Sequence, residues 1–239
     1  MTLIVIAIDG PAGSGKSTAA RRLALELSYM YLNTGAMYRA AALLAQEGGF
    51  DLSDEKKIAG IARAMRFEYI ESGGKQRFHV NGSDRSEELF TAALTAQLKP
   101  VVNNSEVRAA LVEKMRTAAH GVEARGAKGV VLEGRDIGTV VFPRAELKIF
   151  LDASPEVRAE RRWKEHEEKG EELALREVLN EVHERDLRDR ERKVSPLVRA
   201  QDAVLVDNTA MGIEETARLI VLLAAEREKE LTSGAGRQS

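Results

Sequence analysis

Leu3-Ile4-Val5-Ile6-Ala7-Ile8-Asp9-Gly10-Pro11-Ala12-Gly13-Ser14-Gly15-Lys16-Ser17-Thr18 is the stretch that decides the fold. Its apolar run is short and β-branched and breaks at Asp9-Gly10-Pro11, as a strand buried on both faces of a parallel sheet would. From Lys16 to about Ser28 the period becomes helical, with Leu23 and Leu27 on one face. Between strand and helix, Gly10 to Ser17 match G-x-x-x-x-G-K-[ST]. Gly10, Gly13 and Gly15 let the backbone aim N–H groups at phosphate oxygens. The helix that follows adds its positive end. Lys16 is placed to reach the β- and γ-phosphates of a nucleotide, and Ser17 to offer a hydroxyl to Mg2+. The plainer alternative is a glycine-rich turn with an incidental lysine; the complete motif between a strand and a helix favours nucleotide binding.

Beyond the loop, Tyr31-Leu32-Asn33 has the pattern of a second short strand. Thr34 reads as the N-cap of a helix from Ala36 to about Gln46 that stops at Gly48-Gly49. Phe67-Glu68-Tyr69-Ile70, a Ser72-Gly73-Gly74 turn and Arg77-Phe78-His79-Val80 predict a β-hairpin. A helical pattern returns between about Glu87 and Ala119. Val130-Val131-Leu132 and Leu147-Lys148-Ile149-Phe150-Leu151 are further buried-strand candidates, and Ser154-Pro155-Glu156 opens a helix with proline in its first turn. Residues 156–193 form a charged helical stretch with one break at Gly170. Ala203-Val204-Leu205-Val206 is the last strand, a helix spans about 213–230, and 232–239 reads as a disordered tail.

Strands alternating with helices predict an α/β fold, a central parallel sheet flanked by helices on both faces. Two stretches interrupt the alternation, roughly 34–97 and 156–194. Such insertions at strand ends are where ligands bind in these sheets.

Lys plus Arg (36) nearly balance Asp plus Glu (38) in 239 residues, so net charge singles out neither nucleic acid nor membrane as a partner. The chain has no cysteine, which excludes disulfides, thiolate metal sites and a cysteine nucleophile. With no basic leader ahead of the first strand and no apolar run of spanning length, a cytoplasmic protein is expected.

The chemistry narrows further. A guanine-reading Asn-Lys-x-Asp segment is absent, which argues against a GTPase. Glu133, at the end of a strand, can be read as the acid that activates water in an ATPase, and that option stays open. A nucleoside monophosphate acceptor needs less, because a phosphate with a second pKa of about 6 is already a nucleophile at neutral pH. The enzyme then has to align two anions and neutralise them, which calls for arginines and a metal. Arg158, Arg161 and Arg162 share one helix, with Arg158 and Arg162 at i and i+4. Arg185, Arg188, Arg190 and Arg192 follow, interleaved with Asp186 and Asp189. Alone, such a stretch reads as a solvated, ion-paired helix. Downstream of a phosphate loop it reads as a lid that closes over phosphates and excludes water.

These residues resemble the bacterial cytidylate kinases. The likeness runs through the phosphate loop, Thr34-Gly35-Ala36-Met37-Tyr38-Arg39, and Glu133-Gly134-Arg135-Asp136-Ile137-Gly138-Thr139-Val140-Val141-Phe142-Pro143. It continues in Lys148 to Ser154, Arg185 to Arg190 and Ser195-Pro196-Leu197, missing only the tail. The resemblance implies a core domain (1–33, 98–155 and 195–231), a monophosphate-binding domain with a β-hairpin insert (34–97) and a lid (156–194). It implies transfer from ATP to CMP or dCMP with Mg2+; with no assembly interface suggested by the sequence, a monomer is expected.

By that similarity Gly10 to Thr18 hold ATP, with Lys16, Arg158, Arg162 and Arg185 as catalytic cations, Arg158 and Arg162 clamping ATP. Thr34, Tyr38, Arg39, Arg108 and Arg135 line the acceptor site, with Arg39 on the CMP phosphate. Asp189 binds the sugar hydroxyls, and Arg185 and Arg192 approach the acceptor or transferring phosphate. Arg135 and Asp136 also make independent sense. Cytosine offers acceptors at O2 and N3 and a donor at N4, which an arginine and a carboxylate complement, and uracil would leave them mismatched. The plainer reading of that pair is a strand-end salt bridge or a helix cap. The sequence departs from the family pattern at Asn33, Thr34 and Glu133, where Asp, Ser and Asp are frequent. Lys99-Pro100 stands where a base-contacting serine is usual.

His79, His120, His166 and His183 show no metal-ligand spacing, and Trp163 reads as packing. Kinases for UMP, AMP or shikimate, and a slow ATP-dependent switch module, are the competing functions.

Overall fold

The computed structural model describes residues 3–72, 75–124, 126–168 and 170–235. It has two compact units, one from Met1–Tyr31 with Arg125–Ser239 and one from Leu32–Ala124. The first carries a five-stranded sheet in the order β2-β6-β1-β7-β8, formed by β1 (Ile4–Asp9), β2 (Met30–Asn33), β6 (Gly129–Gly134), β7 (Leu147–Asp152) and β8 (Val204–Asp207). β1 pairs in parallel with β6 and β7, and β7 with β8. As the central strand, β1 has Ile6, Ala7 and Ile8 almost wholly buried, which is why its sequence is a continuous apolar run rather than an alternating one.

Helices α1 (Lys16–Leu27) and α9 (Ile213–Ala235) cover the sheet. Ala20, Leu23 and Ala24 of α1 share one cluster with Ile6, Ile149, Val206, Ile220 and Ala224. Truncating a fully buried leucine such as Leu23 to alanine costs about 2–5 kcal/mol. The left-handed Ser28 (φ 55) ends α1, and the Tyr29 N–H donates back to the Ala24 carbonyl at 2.8 Å, the closure typical of a helix C-terminus.

In register, Asp9 lies opposite Gly134 and Phe150, and Asp152 opposite Asp207. The carboxyl ends of four parallel strands therefore share one edge, where ligands bind in such sheets. From that edge emerge the phosphate loop, Arg135-Asp136, and α7 (Pro155–Glu168), whose Ser154 Oγ accepts from Val157 N. α8 (Leu175–Arg190) returns against α7 over a small core of Ala159, Val178 and Val182. Gly170, with φ 74, takes the left-handed turn after α7.

The second unit holds α2 (Gly35–Glu47), α3 (Glu55–Ala64), β3 (Phe67–Ser72), β4 (Lys75–Val80), β5 (Ser83–Asp84), α4 (Ala92–Ala96), α5 (Lys99–Asn103) and α6 (Ser105–Ala124). β3 and β4 form the expected hairpin, with Gly73-Gly74 of its turn outside the described residues; β5 adds a third, antiparallel strand.

Three expectations need correction. Thr34 is not the capping side chain of α2, being already helical at φ −71, ψ −28; Asn33 Oδ1 instead accepts from Ala36 N at 3.2 Å. The helical stretch around 87–119 is broken into pieces. Thr91 Oγ1 caps α4, and Asn104 Oδ1 caps α6 through Glu106 N and Val107 N; such side chains offer the backbone an alternative to a continuous helix. Residues 98–124 group with the second unit, where Asn104 Nδ2 donates to Glu55 O at 2.8 Å and Arg63 pairs with Glu106, binding α6 to α3. Finally, α9 runs to Ala235, into the stretch read as a tail; 236–239 lie outside the described residues. Residues 156–194 group with the first unit. Among the described residues no helix is long and apolar enough to cross a membrane.

Candidate active site

The phosphate loop keeps its shape by glycine and by long-range side-chain support. A Cβ on Gly10 (φ 152) would meet Leu151 O at 2.0 Å, and one on Gly13 (φ 77) would press on Arg158 at 3.1 Å. Gly15 precedes α1 in the left-handed region. Lys16 Nζ folds back on the loop, donating to Pro11 O at 2.6 Å and Ser14 Oγ at 3.4 Å. Thr18 is exposed on the first turn of α1. Ser17 Oγ donates to Glu133 Oε1 at 2.9 Å, and the Tyr31 hydroxyl donates to the same oxygen at 3.2 Å. Glu133 is buried, so these hydroxyls hold its carboxylate beside the start of α1.

Cations converge on this loop. Burial pushes the Lys16 ammonium down to about 7; the Arg135 guanidinium adds to the effect, Glu133 opposes it, and Arg185 pushes it further down. Asp189 collects the same arginines, accepting from Arg135 Nε at 2.7 Å. Burial works to raise the Asp189 carboxyl, but Arg135, with Arg192 and Arg185 behind it, holds it below its usual value. The structure thus brings together Lys16, Arg135, Arg185, Asp189 and Arg192. Positive charge, buried at Lys16 and half-buried at the three arginines, thus gathers around a glycine-rich loop, an arrangement suited to an anion.

Arg158 and Arg162, one helical turn apart, separate. Arg162 lies over the loop, its Cγ 3.5 Å from where a Gly13 Cβ would sit, and its Nε is buried with no hydrogen-bond partner. That donor is suited to an incoming anion. Arg158, expected to clamp ATP, is engaged within the protein. It is 1% exposed and forms a bidentate pair with Asp186 at 2.9 and 2.6 Å. Its remaining bonds go to Ala153 O at 2.9 Å and Ala12 O at 3.2 Å. Its charge is spent on fastening α7 and α8 to the phosphate loop.

Sequence reasoning missed several supports. Asn208 Nδ2 donates to Ser14 O at 3.0 Å, while its Oδ1 and backbone carbonyl accept from Arg161. Asp9 Oδ1 and Oδ2 accept from Ile137 N and Gly138 N. Both residues sit at carboxyl ends of strands, the one signal that could have found them. Asp136, buried, precedes a π-helical turn at Ile137–Val141, and its carbonyl accepts from Val140 N and Val141 N.

In the second unit, the Arg108 guanidinium, buried, lies over the Tyr38 ring at 5.4 Å. Arg39 donates to Leu89 O at 3.1 Å and Thr95 Oγ1 at 2.6 Å and stacks on Phe90 at 5.1 Å. Thr34 is buried, and Lys99 is exposed at the start of α5.

Comparison with known proteins assigns the family. The cytidylate kinase family model matches residues 6–226. A cytidylate kinase of Desulfitobacterium hafniense is 44% identical over 91% of this chain and 91% of its own length. One of Bacillus cytotoxicus is 43% identical over 93% and 96%, and one of Bacillus pumilus 41% over 94% and 97%. The matched range spans the phosphate loop, the Glu133–Pro143 segment and helices α7 and α8, and the chain belongs to the cytidylate kinase family.

Proposed function

We propose that this chain transfers the γ-phosphate of ATP to CMP or dCMP, giving ADP and CDP or dCDP. The observation that carries the reading is the placing of Arg135 and Arg185 near enough to Lys16 to help burial hold its ammonium at about 7. Such charge crowding is relieved by a bound polyanion such as the phosphate chain of ATP. Lys16 and the loop amides hold the β- and γ-phosphates, Arg162 clamps ATP from α7, and Arg185 and Arg192 meet the transferring or acceptor phosphate. Asp189 takes the sugar hydroxyls, and Arg135 with Asp136 matches the cytosine edge. In the second unit Thr34, Tyr38, Arg39 and Arg108 are the proposed acceptor contacts, Arg39 on the CMP phosphate. Residues 156–194 act as the lid.

Two hard oxygens, Ser17 Oγ and Glu133 Oε1, lie 2.9 Å apart at the start of α1, a donor set suited to Mg2+. A Mg2+ held there would supply charge neutralisation to the phosphates of the bound nucleotide. No strong base is needed, since the acceptor phosphate is an anion before it reacts. A monomer in the cytoplasm is the setting this reading assumes.

A coupled ADP-release assay across CMP, dCMP, UMP, AMP, GMP, shikimate and buffer alone tests the proposal. Turnover confined to the cytidylates supports it. Turnover on another acceptor makes the chain a kinase of different specificity, and acceptor-independent turnover makes it an ATP-driven switch.

A further inference from the structure

Asp9 is a buried carboxylate with no part in the chemistry above. It is the last residue of β1, directly before Gly10. It reaches across 128 positions of sequence to accept from Ile137 N at 2.8 Å and from Gly138 N at 2.7 Å, one with each oxygen. Those are the first two N–H groups of the turn Ile137–Val141, which follows Arg135-Asp136 without a break. Lys148 grips the far end of the same segment: its Nζ donates to Pro143 O at 2.6 Å and pairs with Asp202. Gly138 sits between the two side chains, and a Cβ there would come within 3.1 Å of Lys148 Cδ and 3.4 Å of Asp9 Oδ2.

Burial is expensive for this carboxyl. It pushes Asp9 up to about 6 even though both N–H groups work to lower it, with Asp136 adding to the rise. An apolar residue would avoid that cost but would leave two buried N–H groups without acceptors. What Asp9 supplies is a fixed distance between the first residue of the phosphate loop and the pair proposed to read the base.

We propose that Asp9 is a positioning residue for acceptor specificity: by holding the Ile137 and Gly138 amides it presents Arg135 and Asp136 in register with the phosphate loop. This rests on the proposed CMP kinase activity. Misplacement of about 1 Å in such a constellation can cost ~10²-fold.

The test is Asp9→Asn in the full chain, an isosteric change that turns one acceptor into a donor facing an N–H. The expected result is a rise of about tenfold or more in KM for CMP. KM for ATP should move less than about threefold, and the preference for CMP over UMP should fall. Amide hydrogen exchange should show lost protection at Ile137 and Gly138 with the phosphate loop unchanged. Equal weakening of ATP and CMP, or unaltered CMP kinetics, overturns the inference. If Asp9→Asn does not fold, Gly138→Ala displaces the same amide with Asp9 intact, and the same CMP-selective signature or its absence decides. Wild-type protein that is inactive on CMP would sink the proposed function and this inference with it; an active wild type with an unselective variant sinks the inference alone.

Discussion

Replacing Arg158 with methionine separates a structural cation from a catalytic one. The guanidinium is 1% exposed and makes charge-assisted bonds to both Asp186 oxygens and to the carbonyls of Ala153 and Ala12. Adding those bonds singly would overcount, because they share one desolvation cost. The relevant magnitude is that of stranding a buried partner, about 3–5 kcal/mol, since the Asp186 side chain is only 10% exposed. With a urea slope of roughly 2.5 kcal/mol/M, the midpoint should fall by about 1–2 M. Trp163 is the single tryptophan, stands on α7 and donates to Leu173 O, so its fluorescence follows the affected region. Replacing both partners, Arg158→Met with Asp186→Leu, should recover most of the loss, because neither charge is then left buried alone. A single variant as stable as wild type but with a raised KM for ATP would refute the reasoning and restore Arg158 to the role its spacing with Arg162 suggests.

Arg162→Ala should do the reverse, raising KM for ATP by about tenfold with thermal stability unchanged, because its buried Nε has no protein partner to lose. Glu133→Gln should raise the Mg2+ concentration for half-maximal turnover by about tenfold, measured by metal titration at saturating nucleotides, since it removes one hard anionic donor beside Ser17. Lys16 has a folded pKa of about 7 against an ordinary 10.5, so its contribution to stability is present above 10.5 and is lost as pH falls towards 7. Lys16→Met should accordingly be more stable than wild type below about pH 7, by a few kcal/mol at most, while turning over ~10²-fold more slowly. In wild type, ATP binding at pH 8 should take up close to one proton as the polyphosphate recharges Lys16. Calorimetry in buffers of different ionisation enthalpy reads that uptake, and uptake that persists in Lys16→Met would refute it.

The parts of the molecule that were legible in the sequence are those fixed by neighbours along the chain. The β1 run, the phosphate loop, the 67–80 hairpin and the break at Gly170 each follow from a local period or a turn residue. The illegible parts depend on partners far away. Arg158 and Arg162 look equivalent on a helix wheel, and only Asp186, 28 residues on, draws one of them inward. Asn33 and Thr34 are both competent caps, and the backbone angle at Thr34 decides between them. The helical pattern after Glu87 hides the caps at Thr91 and Asn104 because both residues also occur inside helices. Asp9 and Asn208 act at the ends of strands through bonds that span more than a hundred residues, which no spacing rule encodes.

The central claim is that the charge gathered around Lys16 moves a phosphoryl group to a cytidylate rather than to water. Following the labelled γ-phosphate of ATP in the presence of CMP and Mg2+ tests it directly. The account predicts that the label leaves ATP only when CMP is present and is recovered in CDP. Recovery as inorganic phosphate, or loss from ATP at the same rate without CMP, would contradict it.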